Sequence, residues 1–375
     1  MRKSVAILGT RGYPSYYGGF ETLVRYLAPY LAERNWDVTV YGRRGAVDFD
    51  DPHRDPEVTS VLTGGFNSRS FSTISHGLTA SIATIRKKPD VALVMNVANG
   101  LFFPLISAMK VPIVVNVDGI EWEREKWGFL ARTAFKTGAG LTARYASTLV
   151  FDSQAVGVIW ENRFGRSGVY IPYGGERRDE LPFREKFQQG KYVLLVARFV
   201  PENSIAEFFQ AVPEIARFAD VVIVGAAGHG GHFDSLARKL DGDFENVYFL
   251  GHINDDNRLH ALWQNAAVYF HGHSVGGTNP ALVQAMALGT PIVARDTVFN
   301  REVLTDLGMY FGLNSNEIVE EIRKVYFLEN QARLGLRSNL LKRSSLFFTW
   351  KGVCKRYALA LEEAVDSAPL LRNLE

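Results

Sequence analysis

The stretch HSVGGTNPALVQAMALGTPIVA, residues 273–294, sets two glycines and a Thr-Asn-Pro step directly before a short apolar helix pattern. Asn279 suits an N-cap, Pro280 the first helical position and Gly289 the position just past the end. They predict a helix from Pro280 to about Leu288. The first N–H groups of a helix have no intrahelical partner and its dipole is positive at that end, so such a start attracts an anion such as a diphosphate. Gly276 and Gly277 have no Cβ and let a ligand come against the main chain beside Thr278. Gln284, one turn in, carries an amide able to bond a hydroxyl. The same residues would also make a well-capped structural helix. Arg198 tips the balance toward an anion: it ends the strand in LLVARFVPEN and can pair bidentately with phosphate oxygens.

Other strand ends carry chemistry too. His271 and His273 flank Gly272 and suit donation to phosphate better than metal binding, because no histidine pair has metal-ligand spacing on a helix. Gly9-Thr10-Arg11-Gly12, extended by Gly18 and Gly19, forms a permissive loop, as do Gly225, Gly228, Gly230 and Gly231. The dinucleotide fingerprint G-x-G-x-x-G is absent, and the second strand runs into Gly42-Arg43-Arg44 rather than an acidic residue. Asp118 ends a strand in VVNVDGIEWEREKWG. Glu121, Trp122, Arg124 and Trp127 behind it read as a loop facing carbohydrate or a lipid headgroup, since aromatic faces stack on sugar and settle at membrane interfaces. Asp48 and Asp50 mimic a metal-binding D-x-D but lie in a polar, proline-containing loop and read as solvated. No Walker loop, G-x-S-x-G or Cys–His pair is present.

Elements must bring these residues together. Short branched runs (SVAILG, DVTVYG, DVALVMN, VPIVVNVD, STLVFDS) alternate with helical patterns, which predicts a doubly wound parallel α/β domain over residues 1–173. Residues 174–189 are polar and aperiodic and read as a linker. The alternation restarts over 190–347 with YVLLVAR, DVVIVGA, NVYFLG, AAVYFHG and TPIVAR. Two such domains in tandem are expected to face each other across a cleft, a favoured ligand site. The last helical stretch, about 348–375, lies beyond the second sheet's complement.

Composition narrows the classes. The 375 residues carry a net charge of +2, too little to argue for nucleic acid. Residues 1–173 hold 20 Lys+Arg against 15 Asp+Glu, +5, leaving −3 for the remainder, so the basic half is expected to meet something anionic, a phosphate or a membrane surface. Cys354 stands alone, which excludes an internal disulfide and fits a reducing compartment. No apolar run approaches a spanning helix, and MRKSVAILG reads as a strand rather than a leader. A cytoplasmic protein, at most peripheral to the inner face of the plasma membrane, is expected.

Together GTRGYPSYYGGFETLVRYLAPYLAERNWDVTVYGR, NVDGIEWEREKW, RFVPEN and HGHSVGGTNPALVQAMALGTPIVA resemble the retaining glycosyltransferases of family 4, most of all the bacterial rhamnosyltransferase-type members of capsule and exopolysaccharide synthesis. The likeness covers nearly the whole chain. It implies the GT-B fold, two Rossmann-like domains with a last helix crossing back to the first. It implies metal-independent, cofactor-free transfer with retention from a nucleotide-sugar, dTDP-rhamnose, to a glycan or lipid-linked acceptor. Arg198 would bind the donor diphosphate, Gly18 and Gly19 would border it, and Asp118 would orient the acceptor. Residues from Gly276 to Gln284 would hold the donor sugar and ribose. Two departures stand out. The family's paired glutamates fall on Gly276 and Gln284, and the lysine that usually follows its arginine is missing, with Asn203 near that slot. A neutral amide at Gln284 suits a deoxyribose with one hydroxyl. The losses also leave open a binding or partner subunit with impaired turnover. A third reading, an NADP-linked oxidoreductase, is opposed by the broken fingerprint at Gly9.

Overall fold

The computed structural model describes residues 2–16, 18–66, 72–123, 128–227 and 231–372. The chain divides into two units, Met1–Tyr173 with Trp350–Glu375, and Gly174–Thr349. In unit 1, β1 (Lys3–Leu8), β2 (Trp36–Arg43), β3 (Thr59–Thr63), β4 (Val91–Met95), β5 (Ile113–Asn116), β6 (Thr148–Phe151) and β7 (Val169–Tyr170) form one parallel sheet, ordered β3-β2-β1-β4-β5-β6-β7. Its helices are α1 (Gly19–Ala32), α2 (Ser72–Lys87), α3 (Phe103–Ala108), α4 (Phe129–Tyr145) and α5 (Gln154–Phe164). The central register sets Val5 beside Val38 and Val91, and Ile7 beside Val40 and Leu93. Covered on both faces, these strands read as continuous apolar runs.

Unit 2 repeats the scheme with β8 (Tyr192–Val196), β9 (Asp220–Val224), β10 (Val247–Gly251), β11 (Val268–His271), β12 (Ile292–Arg295) and β13 (Met309–Phe311), ordered β10-β9-β8-β11-β12-β13. Helices α6 (Ile205–Ile215), α7 (His232–Asp243), α8 (Asp256–Asn265), α9 (Pro280–Ala287), α10 (Val298–Leu304), α11 (Ser315–Tyr326) and α12 (Asn330–Phe347) complete it. Chain order turns back between β8 and β11, the position at which open α/β sheets bind ligands outside the strand carboxyl ends. The final helix, α13 (Trp350–Arg372), belongs to unit 1. It packs on α1, stacking Trp350 on Tyr26 at 4.4 Å between ring centroids, and joins the core of Val5, Ile7 and Leu93 through Val353, Tyr357 and Leu361. Burying each such aliphatic side chain stabilises the fold by about 1.5–3 kcal/mol.

Residues 174–189 are not a free connector. They belong to unit 2. Phe187 enters its core, Glu185 pairs with Arg258 at 2.6 Å, and Leu181 N donates to Gln264. Their polar, aperiodic sequence follows from lying across the unit surface, with hydrogen bonds to side chains in place of a ladder.

Candidate functional site

In unit 2 the carboxyl ends of the adjacent strands β8 and β11 are tied side by side. Arg198 follows β8, and a short 3₁₀ turn, Pro201–Asn203, leads into α6. The Asn203 Nδ2 donates to the Arg198 carbonyl at 2.7 Å, and Asn203 Oδ1 lies 2.7 Å from His273 Nδ1. Ser204 Oγ donates to the Gly272 carbonyl, and Ser274 gives both its N–H and its hydroxyl to the Glu202 carbonyl. Gly272 is required here: a Cβ would lie 2.1 Å from the Asn203 carbonyl oxygen. The Arg198 side chain is exposed, with no hydrogen bond or ion pair to a described residue. It stands beside a built loop and is free to bind an anion.

Helix α9 starts as the sequence predicts. Asn279 is its N-cap and accepts from Ala281 N at 2.9 Å, and Pro280 takes the first position. Gly276 sits at φ 89° and Gly289 at φ 68°, conformations that favour glycine. Helix α9 differs from the others that follow permissive loops. In α1, Glu21 turns back so that its Oε1 accepts from Arg11 N at 2.8 Å and from the Thr10 hydroxyl. In α7, Asp234 does the same for Ala227 N and Gly231 N. Both loops therefore have main-chain donors engaged by a carboxylate of their own, and an anion there meets like charge. The first turn of α9 has no acidic residue. Of these three glycine-bearing helix starts, α9 alone leaves its positive end to an outside anion.

Gln284 is placed differently from expectation. Its Nε2 donates to the Glu176 carbonyl at 2.8 Å and its Oε1 accepts from Glu176 N at 2.9 Å. The amide thus clamps a strand-like segment instead of facing a ribose. The same segment is held tightly, because a Cβ on Gly175 would lie 2.6 Å from the Val283 carbonyl oxygen and Gly175 bridges to Thr349. No pattern in the sequence joins residues 176 and 284, so only the tertiary structure shows it.

His271, at the end of β11, is buried, with Nδ1 3.1 Å from the Tyr269 hydroxyl and Nε2 enclosed without a partner. Burial pushes its pKa down to about 3, so the ring is neutral. It is a core residue and does not act as the phosphate donor that the sequence allowed.

In unit 1, Asp118 follows β5 at φ 61°, and Asn96 follows the neighbouring β4 at φ 70°. Non-glycine residues in this left-handed region carry a conformational cost that clusters at working sites. Asn96 Nδ2 donates to the Asp118 carboxylate at 3.2 Å, and Asp118 N donates to Asn116 Oδ1 at 2.9 Å. Asn116 Nδ2 in turn donates to the Tyr357 hydroxyl of α13 at 2.6 Å. Asp118 is half-buried, whereas Asp152 and Glu21 are buried. Burial, then the nearby Asp118 and Asp152 carboxylates, hold the Tyr173 hydroxyl well above the ordinary tyrosine pKa. Asn96, Asp152 and Glu21 went unrecognised in the sequence. Asn96 and Asp152 do sit at strand ends, which is the signal that would have found them.

Gly18 is the N-cap of α1 in an extended conformation, and Gly19 is its first residue. Gly277 and Thr278 lie on the loop into α9, Thr278 buried. The expected aromatic platform is not present as drawn. Trp122 is only 4% exposed and packs edge-on against Trp160 and Phe164, so its faces are not offered to a sugar. Glu121 is buried as well. Arg124 and Trp127 lie outside the described residues. Among the described residues no group of three or more His, Cys, Asp or Glu side chains could hold a metal. Asp48 accepts from Asp50 N in a local turn.

A pair of parallel-sheet, Rossmann-like units of this kind is the GT-B fold of nucleotide-sugar-dependent glycosyltransferases. Residues 190–326 match the family model Glycosyl transferases group 1. Phosphatidyl-myo-inositol mannosyltransferase from Mycolicibacterium smegmatis is 35% identical over 150 residues, 38% of each chain. The enzyme of the same name from Mycobacterium leprae is 33% identical over 120 residues, 31% of each. The match thus spans under two fifths of these relatives' length. Among solved structures, sucrose-phosphate synthase from Thermosynechococcus elongatus aligns at TM-score 0.78 and 16% identity over 98% of this chain and 100% of that one. HepE from Anabaena, solved with UDP-glucose, aligns at TM-score 0.72 and 16% identity over 96% and 99%. The fold of this chain is that of these solved structures.

Proposed function

We propose that the protein transfers a hexose or deoxyhexose from a nucleoside diphosphate sugar to a glycan or lipid-linked acceptor, with retention and without a metal. The observation that carries this reading is the uncompensated start of α9 beside an exposed Arg198, on strand ends locked together by Asn203. On this reading Arg198 and the positive start of α9 stabilise the departing diphosphate, the largest electrostatic demand of the reaction. Asp118, held by Asn96 and Asn116, orients the acceptor hydroxyl, and the leaving phosphate takes its proton on the same face. Rhamnose from dTDP-rhamnose is the proposed sugar, supported by the resemblance of the Gly276–Pro280 segment. The mannosyltransferase relatives make a nucleoside diphosphate mannose the main rival. Incubating the protein with dTDP-rhamnose, a nucleoside diphosphate mannose and UDP-glucose and following nucleoside diphosphate release tests donor and activity together. Release from none of them, with any glycan or lipid-linked acceptor supplied, defeats the reading.

One observation favours a second reading. With its amide given to Glu176, Gln284 supplies no charge to a ribose, and a subunit that binds nucleotide-sugar without turning it over fits that loss. Saturable binding without release identifies it.

A further inference from the structure

At the carboxyl edge of the unit 1 sheet, one tyrosine carries a polar group that the fold itself does not use. Tyr173 stands just past the pairing of β6 with β7, where Ile171 N still donates to the Phe151 carbonyl. The residue is only 6% exposed, with its ring in the core beside Ile171, Trp350 and Tyr357. A buried tyrosine ordinarily finds a partner for its hydroxyl. Among the described residues the Tyr173 hydroxyl has none, and it is not one of the atoms sealed away from solvent. A packed ring with an open hydroxyl offers a hydrogen bond from a fixed point, with little side-chain entropy left to lose on binding.

The groups around that hydroxyl decide what it can meet. Besides burial, the negative charges of Asp118 after β5, Asp152 after β6 and Glu21 of α1 act on it, so the phenol keeps its proton and is a donor. Asp118 supplies the complement. One of its oxygens accepts from Asn96, and the other takes no hydrogen bond from a described residue. A sugar hydroxyl is donor and acceptor at once, so an open phenol and an open carboxylate oxygen on one edge match neighbouring hydroxyls of one ring. A carboxylate or phosphate on that ring would instead be set against Asp118, Asp152 and Glu21, and like charges brought together in this way are strongly disfavoured. We propose that Tyr173 binds the acceptor, donating to an oxygen of the same sugar whose hydroxyl Asp118 orients, and that this sugar is neutral, neither a uronic acid nor a phosphorylated sugar. The proposal rests on the transferase reading, in which Asp118 faces the acceptor.

The test follows nucleoside diphosphate release by the full chain with matched acceptor probes: octyl glycosides of glucose, galactose and mannose, and the octyl glycosides of their three uronic acids. At least one neutral glycoside is expected to raise release above the level without acceptor, and its uronic acid twin to have a kcat/KM about tenfold or more lower. Tyr173→Phe removes only the unpartnered hydroxyl. It is expected to melt like the wild type and to bind nucleoside diphosphate unchanged, while KM for the neutral glycoside rises about tenfold and kcat falls less. A wild-type KM in Tyr173→Phe overturns the proposal, and so does a uronic acid glycoside used as well as its neutral twin. A lowered melting temperature or weakened nucleotide binding in Tyr173→Phe makes the hydroxyl structural and overturns it too, as does stimulation by none of the neutral glycosides. All these outcomes leave nucleotide-sugar binding by the wild type intact. A wild type that binds no nucleotide-sugar defeats the transferase reading itself, and this proposal with it.

Discussion

Asn203 Oδ1 and His273 Nδ1 lie 2.7 Å apart, joining the loop after β8 to the loop after β11. Because the Asn203 Nδ2 is committed to the Arg198 carbonyl, its Oδ1 is the atom facing the imidazole, and His273 Nδ1 must carry a proton and donate. Asn300 Nδ2 adds a bond to the His273 carbonyl at 2.9 Å. One small amide therefore fixes both the arginine loop and the histidine loop of the proposed donor site, near the slot where the resembling family carries a lysine.

Asn203→Ala leaves both loops without this tie. The expected outcome is a folded protein whose dissociation constant for nucleoside diphosphate rises about tenfold, from the loss of two directed bonds. Titration calorimetry with dTDP and UDP measures it. Unchanged affinity for both would show that the loops hold their places without it.

Arg198→Ala is expected to lower turnover by about two orders of magnitude or more, through lost stabilisation of the diphosphate. Arg198→Lys keeps a charge but not the planar fork and is expected to recover only part of it. The side chain is exposed, so melting temperature stays near the wild-type value. Full activity in Arg198→Ala removes this arginine from the reaction.

Gln284→Glu introduces the residue type of the resembling family and is nonetheless expected to destabilise unit 2. A carboxylate still accepts from Glu176 N but sets a second acceptor against the Glu176 carbonyl, leaving the latter without its donor. A buried or part-buried acceptor left unpaired costs about 1–3 kcal/mol. Chemical denaturation reads the loss directly. A Gln284→Glu protein as stable as the wild type, with higher affinity for ribose than for deoxyribose nucleotides, would return residue 284 to the ribose.

His271 links stability to pH. Its folded pKa of about 3 lies below the unfolded value near 6.5, so the neutral ring is no burden above pH 6.5. As pH falls from 6.5 toward 3, the unfolded chain binds a proton that the folded chain refuses. Stability is lost by up to about 1.4 kcal/mol per pH unit in that window. His271→Phe removes the group and is expected to flatten the decline in melting temperature between pH 7 and pH 5. Equal slopes for the two proteins refute the assignment.

The central strands were plain in the sequence, while three of the four edge strands were hidden. SVAILG, DVALVMN and YVLLVAR became β1, β4 and β8 because strands covered on both faces need unbroken apolar runs. Three edge strands, β3, β7 and β13, had no such signal. TSVLT in β3 buries only Thr63 and follows a polar stretch, and β7 has two residues. At the site, capping chemistry made α9 legible, since N-cap, Pro and C-terminal Gly act within a few residues of one another. Trp122 was misread for the opposite reason: indole in a charged loop has the same composition whether its neighbours are water or Trp160 and Phe164.

From its own residues, then, the chain set out two alternating α/β units, the start of α9 and an arginine at a strand end. These depend on contacts a few positions apart. Tertiary structure alone decided that Glu21 and Asp234 occupy amides of their own loops while α9 keeps its positive end, that Gln284 holds Glu176, and that Asn203 joins Arg198 to His273. Each depends on side chains meeting across many residues of sequence or on a loop bending back upon a helix. A hydrogen bond is satisfied by whichever partner the packed fold brings within 3 Å or so, and the linear order of residues does not specify that partner.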